Sequence, residues 1–399
     1  MKSMLKQEEE ILASIDEREI VALLQDLIRS RSDNPPGDCR AAIQVVKTKL
    51  AEAGIEYEIF SQQDHKPNLL AQIYSGIEKK RLIYHAHIDT VSSGNVDNWS
   101  FDPFSGQIHN EAVYGRGAGD DKGSVASQVM AMVTLARAGI PLTCSLQLAI
   151  VADEESGGQQ GTHFLCDSGK LKPDALVIGE QTNNEIAIAE RVACGIDLIV
   201  FGKGAHGAMP WAGDNAILKT ARVLEWLVSH YFPLLAAKCH PYLPPATLNI
   251  GRISGGIQWN IVPDFCKVEM DRRLLPGESR DEEMQVIRNI LDAYAENVEP
   301  LHYELFSAGE VTANVNTSPN HPFVITGSEA LFAINNEKIK LTGYMQTSDG
   351  RWFARDNIPI IIFGPGDPSL AHANDEYVPI KHLVEAARFL TLLALRWPQ

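Results

Sequence analysis

No run of about 20 apolar residues occurs, so no segment is expected to cross a bilayer as a helix. The opening stretch, MKSMLKQEEEILASIDEREI, is polar and acidic and lacks the apolar core of a secretion signal. Six cysteines are scattered at Cys39, Cys144, Cys166, Cys194, Cys239 and Cys266 without a CxxC pair. Reduced thiols in a cytoplasmic protein are therefore expected, rather than a disulfide frame or a thiolate metal site. Positive charge is scarce: 35 Lys and Arg face 51 Asp and Glu, a formal net charge of −16. That balance argues against nucleic acid or an anionic membrane surface as partner, but leaves room for an anionic small molecule held by a few placed arginines. No Walker P-loop and no GxSxG elbow is present, so phosphoryl transfer and serine hydrolysis lack support.

What is present is the mix of a soluble globular protein, 45% hydrophobic and 22% charged, in 399 residues, enough for two domains. An N-terminal helix (residues 8–30) and a second one in AAIQVVKTKLAEAG flank the turn-rich SDNPPGD. Apolar runs then alternate with helices: LLAQIY, RLIYHAHID, a helix near 124–138, LQLAIVADEE, a helix near 161–168, and DALVIGE. This rhythm predicts an α/β domain with a mostly parallel sheet flanked by helices. Between residues 192 and 311 the order becomes β-α-β-β-α-β, a ferredoxin-like α+β unit. The α/β pattern resumes with FVITGSEALFAI, IPIIIFGPG and a closing helix. The expected organisation is a discontinuous catalytic domain, 1–191 and 312–399, interrupted by an inserted domain, 192–311.

Imidazoles and carboxylates collect where apolar strands end. Residues 82–84 lead into His85, His87 and Asp89; LQLAIV leads into Asp153, Glu154 and Glu155; DALVIG ends on Glu180; His372 follows IPIIIFGPG. Ligands of open α/β sheets bind beyond the carboxyl ends of the strands. So many carboxylates need a countercharge, and imidazole with carboxylate and no thiolate suits zinc, cobalt or manganese. In a strand, His85, His87 and Asp89 share a face, so Asp89 is placed to orient the His87 ring. His87 is the expected ligand and His85 structural. In GRGAGDDKG the glycines allow a tight turn that presents Asp120 between two metals. Of the adjacent Glu154 and Glu155, one can ligate while the other works as general base. GKGAHG satisfies the dinucleotide pattern GxGxxG, but Pro210 and Gly213 interrupt the helix it requires, so that reading is rejected.

Over its whole length the chain resembles the two-zinc metallopeptidase family of aminoacylases, acetylornithine deacetylases, succinyl-diaminopimelate desuccinylases and glutamate carboxypeptidases. The match rests on HAHID, GRGAGDDKG, ADEESGG, VIGEQT, GKGAHGAMP, NIVPD…RRLLPGE, TSDGR and AHANDEY, all in the family's order. The resemblance implies His87 and Glu180 on one metal, Glu155 and His372 on the other, and Asp120 between them. It makes Glu154 the general base and Asp89 the orienter of His87. It implies a homodimer through the inserted domain, with His206 reaching the partner's site to stabilise an oxyanion. Asn260, Arg273 and Arg351 match substrate-binding positions. Gly119, Gln181, Ser92 and the doubled Asp121 depart from the family's usual residues, yet remove no ligand. The expected reaction is hydrolysis of an N-acyl amino acid amide with two divalent ions, zinc first and cobalt or manganese as alternatives. A dipeptide or acyl-glutamate substrate, or a non-catalytic carboxylate-binding relative, are the other readings.

Overall fold

Ser145–Val151 is buried at all seven positions, as a strand covered on both faces must be. In the computed structural model, which describes residues 4–74, 80–308, 313–356 and 358–398, this strand lies inside an eight-stranded sheet. The order across it is Leu341–Tyr344, Ile186–Glu190, Ile360–Ile362, Ala175–Ile178, Arg81–His87, Ser145–Val151, Asn68–Ile73 and Tyr57–Phe60. The four strands from Ile360–Ile362 to Ser145–Val151 are parallel. Ile186–Glu190, Asn68–Ile73 and Tyr57–Phe60 each run antiparallel to an inner neighbour. The chain leaves Arg81–His87 to build first one side of the sheet, then the other. Its switch point therefore opens at the carboxyl end of that strand, beside His87.

On one face lies a core of Leu70, Ile83, Leu165, Leu176, Trp352, Phe353 and Ile360. Helix Lys122–Ala138, buried from Lys122 through Leu135, packs against Ile380–Arg396 and stops at Gly139 in the left-handed region. The N-terminal helix is broken in two, Lys6–Ala13 and Glu17–Arg29, because the Asp16 side chain accepts from Arg18 N and starts a new helix. FVITGSEALFAI lies in helix Pro322–Asn335.

Two compact units result: Met1–Ala189 with Val315–Tyr344 and Ser348–Gln399, and Glu190–Asn314 with Met345–Thr347. Sequence placed the boundaries at 191/192 and 311/312; the latter falls in 309–312, outside the described residues. The second unit is an antiparallel sheet in the order Thr247–Gly255, Phe265–Leu274, Val192–Phe201, His302–Ala308. Val192–Phe201 and Phe265–Leu274 alternate in burial residue by residue, the mark of a sheet covered on one face. Helices Ala216–Ala236 and Arg280–Asn297 pack against each other within this unit, and both pack against the sheet. Asn215 caps the first of them by accepting from Leu218 N.

Candidate functional site

Strand Arg81–His87 ends on His87, whose ring is buried at the switch point. The ring's Nε2 stands 3.1 Å from Asp120 Oδ1, and His372 Nε2 stands 3.4 Å from Asp120 Oδ2 and 3.1 Å from Glu155 Oε2. Asp120 thus offers one oxygen to each imidazole. His87, Asp120 and Glu180 form one group and Asp120, Glu155 and His372 a second, the donor atoms of each lying within 4.8 Å of one another. Ligands around a tetrahedral ion with bonds of about 2.1 Å are about 3.4 Å apart, so the two groups fit divalent ions of the N/O-binding kind. Of the doubled aspartates, Asp121 turns away: its Oδ2 accepts the His87 backbone N–H at 3.2 Å.

The electrostatics point the same way. Burial, then the neighbouring Asp120, raises Glu155 and pushes Glu180 well above the usual carboxylate range. Burial and Asp349 do the same to Glu154. Asp121 is pushed up to about 8 by burial. Hydrogen bonding to Asp120 and Glu155 raises His372 to about 10. For His87 burial works downward, but Asp120, Asp89 and Asp121 together carry it well above the ordinary imidazole value. Burial and neighbouring anions raise the carboxyls and the carboxylates raise the imidazoles, a concentration of negative charge that a bound cation would relieve.

Asp89 lies past the end of the strand, and so differs from the expected shared face. His87 Nδ1 is 3.0 Å from the Asp89 backbone carbonyl and 3.6 Å from its carboxylate. The carboxylate instead accepts from Glu154 N at 3.1 Å, Glu155 N at 3.3 Å and Asn34 Nδ2 at 2.8 Å. One residue therefore fixes both the histidine and the loop bearing the glutamate pair. The pair splits as adjacent residues at a strand end should: Glu155 faces His372, while Glu154 Oε1 lies 3.5 Å from Arg351 Nη2. Each is largely covered, with about a tenth of the side chain accessible.

Several supports escaped the sequence reading. Glu376 is fully buried and accepts from Arg116 Nη1 at 2.6 Å, Gly119 N at 2.8 Å, Asp120 N at 3.0 Å and Gly117 N at 3.1 Å. Tyr344 donates its hydroxyl to Glu180 Oε2 at 2.8 Å. Lys66 pairs with Asp153, which precedes the glutamates in a left-handed conformation. Glu376 lies within AHANDEY, so its motif was visible but its target was not.

His206, Asn260 and Arg273 belong to the second unit. His206 is exposed on a two-residue ladder opposite Ile261, and the Asn260 carbonyl accepts from Gly207 N at 2.7 Å. A Cβ on residue 207 would meet the Asn260 backbone at 2.8 Å, so glycine permits this close approach. Arg273 pairs with Asp271 at 3.0 Å and donates to Thr347 Oγ1 at 3.3 Å.

Known proteins carry the same framework. A probable succinyl-diaminopimelate desuccinylase of Staphylococcus aureus (strain MRSA252) is 26% identical over 92% of this chain and 94% of its own length. The N-formyl-4-amino-5-aminomethyl-2-methylpyrimidine deformylase of Halalkalibacterium halodurans is 26% identical over 98% of this chain and 97% of its own. Among solved structures, a tripeptidase from S. aureus superposes with a TM-score of 0.78 at 21% identity, covering 96% of this chain and 100% of that one. A dinuclear metal binding peptidase from Bacillus subtilis superposes with a TM-score of 0.71 at 16% identity, covering 95% and 97%. The profile of Peptidase family M20/M25/M40 matches residues 83–396, and the chain belongs to that family of metal-dependent hydrolases.

Proposed function

We propose that the chain hydrolyses the amide bond of an N-acyl amino acid, holding two divalent ions, zinc first, between its two donor groups. The observation that carries this reading is the single Asp120 carboxylate shared by two imidazole–carboxylate groups, with Glu154 beside them and outside both. His87 and Glu180 would hold one ion, Glu155 and His372 the other, with Asp120 common to both. The ions, when bound, acidify a water molecule and polarise the substrate carbonyl.

The remaining work falls to side chains of this chain. Glu154 takes the proton from the water and returns it to the leaving amine. Asp89 keeps the base and the His87 ring in fixed relation through hydrogen bonds to both segments. Arg351 is suited to capture the substrate's carboxylate, and Arg273 and Asn260 are further substrate-binding candidates. His206, supplied by a second copy, stabilises the oxyanion. A homodimer through the inserted unit is supported by its edge strand Thr247–Gly255, which among the described residues pairs on one side only and leaves Ile253 about half exposed.

Two relatives are named for removing an acyl group, a desuccinylase and a deformylase, which favours deacylation over peptide cleavage. The deciding assay measures free-amine release from N-acetyl, N-succinyl and N-formyl amino acids and from dipeptides. It uses chelator-stripped protein with and without zinc, cobalt or manganese. Metal-dependent release from one acyl group establishes the reaction and the preference. Release from dipeptides alone makes the chain a peptidase. None at all from folded, metal-loaded protein overturns the reading in favour of a binding protein.

A further inference from the structure

The mechanism leaves unused a buried chain of polar groups beneath Glu154. Asp349 is 1% exposed, and its Oδ2 accepts from the Thr162 hydroxyl at 2.5 Å. That hydroxyl lies 2.7 Å from His85 Nε2. Threonine has one proton and gives it to the carboxylate, so His85 must donate from Nε2 to the Thr162 oxygen. The other oxygen, Oδ1, accepts from Trp352 Nε1 at 3.2 Å and lies 3.5 Å from Arg351 Nη2. The same Nη2 is 3.5 Å from Glu154 Oε1.

The loop bearing Glu154 presses on this chain directly. Gly158 has φ +76, and a Cβ there would come 2.9 Å from both Asp349 Oδ1 and Trp352 Nε1 and 3.4 Å from Arg351 Nη2. Only a residue without a side chain lets the backbone rest against Asp349. His85 also stands two residues before His87 on one strand, so the chain joins the metal-bearing strand to the base.

We propose that Asp349, seated by Thr162 and His85, is a positioning residue that acts through Arg351 to hold the Glu154 carboxylate. The guanidinium lies between the Asp349 and Glu154 carboxylates. Asp349 fixes that position, and Glu154 takes its place from it. Substrate carboxylate capture by Arg351 uses the same guanidinium, so the substrate is registered against the base. This deepens the deacylase reading and rests on Glu154 being the base.

The test compares metal-loaded full-length protein carrying Asp349→Asn, Thr162→Val, Thr162→Ser, Arg351→Ala or Glu154→Gln. Asp349→Asn is isosteric and should lower kcat about 10- to 100-fold and raise KM by a smaller factor, since the displaced Arg351 serves both the base and the substrate carboxylate. Thr162→Val should fall in the same direction, and Thr162→Ser should return to within about threefold of wild type. Adding Asp349→Asn to Arg351→Ala should cost less than about threefold more, because both act on one path. The crystal structure of metal-loaded Asp349→Asn should show the Glu154 carboxylate displaced by about 1 Å, a misplacement large enough to matter for catalysis. Additive losses, a rise in KM alone, or an unmoved Glu154 overturns the positioning role. Glu154→Gln separates the two failures. If it is inactive while Asp349→Asn is unimpaired, the base assignment stands and the positioning role falls. If it turns over like wild type, the base assignment falls, and the position of residue 154 in the Asp349→Asn crystal decides the positioning role on its own.

Discussion

Glu376 shows how much one buried carboxylate can organise. Three backbone N–H groups of the glycine-rich turn and the Arg116 guanidinium converge on it, and one of those N–H groups belongs to Asp120. It touches neither donor group's imidazoles, yet it sets where the shared aspartate points. Glu376→Gln, which keeps the shape and weakens charge-assisted bonds, should lower metal affinity about 10- to 100-fold. Competition with a coloured chelator would measure this, and unchanged affinity would reduce Glu376 to scaffolding. The titrating residues make a second prediction. Glu155 and Glu180 are raised by burial, and His372 to about 10 by its carboxylate partners. All three must be deprotonated to ligate, so binding expels protons and affinity rises with pH. In the metal-free protein the raised carboxyls contribute stability below their unfolded values, and it is lost as pH rises through the raised folded values. Calorimetric metal titrations in buffers of different ionisation heat should show release of about one proton or more per protein near neutral pH. Buffer-independent heats would refute it.

Elements in this chain are held by buried charge as well as by apolar packing. In the inserted unit Arg272, on strand Phe265–Leu274, is fully buried. It pairs with Glu278 at 2.7 Å and Glu283 at 2.9 Å, and donates to the Tyr231 hydroxyl at 2.9 Å. Tyr231 lies on helix Ala216–Ala236 and Glu283 on helix Arg280–Asn297, so one guanidinium fastens both helices to the sheet. Removing it leaves carboxylates buried with Lys238 as the remaining cation of the cluster. Arg272→Ala should cost about 3–5 kcal/mol, seen as a lower denaturant midpoint of the inserted unit. A change below about 1 kcal/mol would mean that solvent already screens the cluster. Elements also explain what sequence reading missed. Tyr57–Phe60 and Leu341–Tyr344 are four-residue outer strands of the sheet, too short to show a period. The break at Asp16 was a capping signal inside a continuous helical pattern, and the pattern hid it.

At the scale of the whole molecule, the proposed role of His206 makes the active unit a pair of chains. Glu154 and His206 belong to different units of the fold. His206→Ala and Glu154→Ala homodimers should each be nearly inactive, and each mixed dimer should regain one of its two sites, which is about a quarter of all sites by random pairing. Absence of recovery in heterodimers confirmed by mass would place His206 in its own chain's site.

The candidate donors were legible in sequence because four of the five sit next to a local signal, an apolar run ending near His87, Glu155 or Glu180 or a glycine turn around Asp120, while their division between two ions came from the family resemblance. Strand ends of an α/β sheet share one edge, so local patterns sufficed to gather them. Pairing was decided by tertiary structure alone. His372 meets Glu155 across 217 positions, Arg116 meets Glu376 across 260, and Thr162 meets Asp349 across 187. No periodicity spans such separations. The hydrogen bonds of a buried carboxylate are chosen by what the fold brings within about 3 Å, and only the packed sheet and its loops determine that.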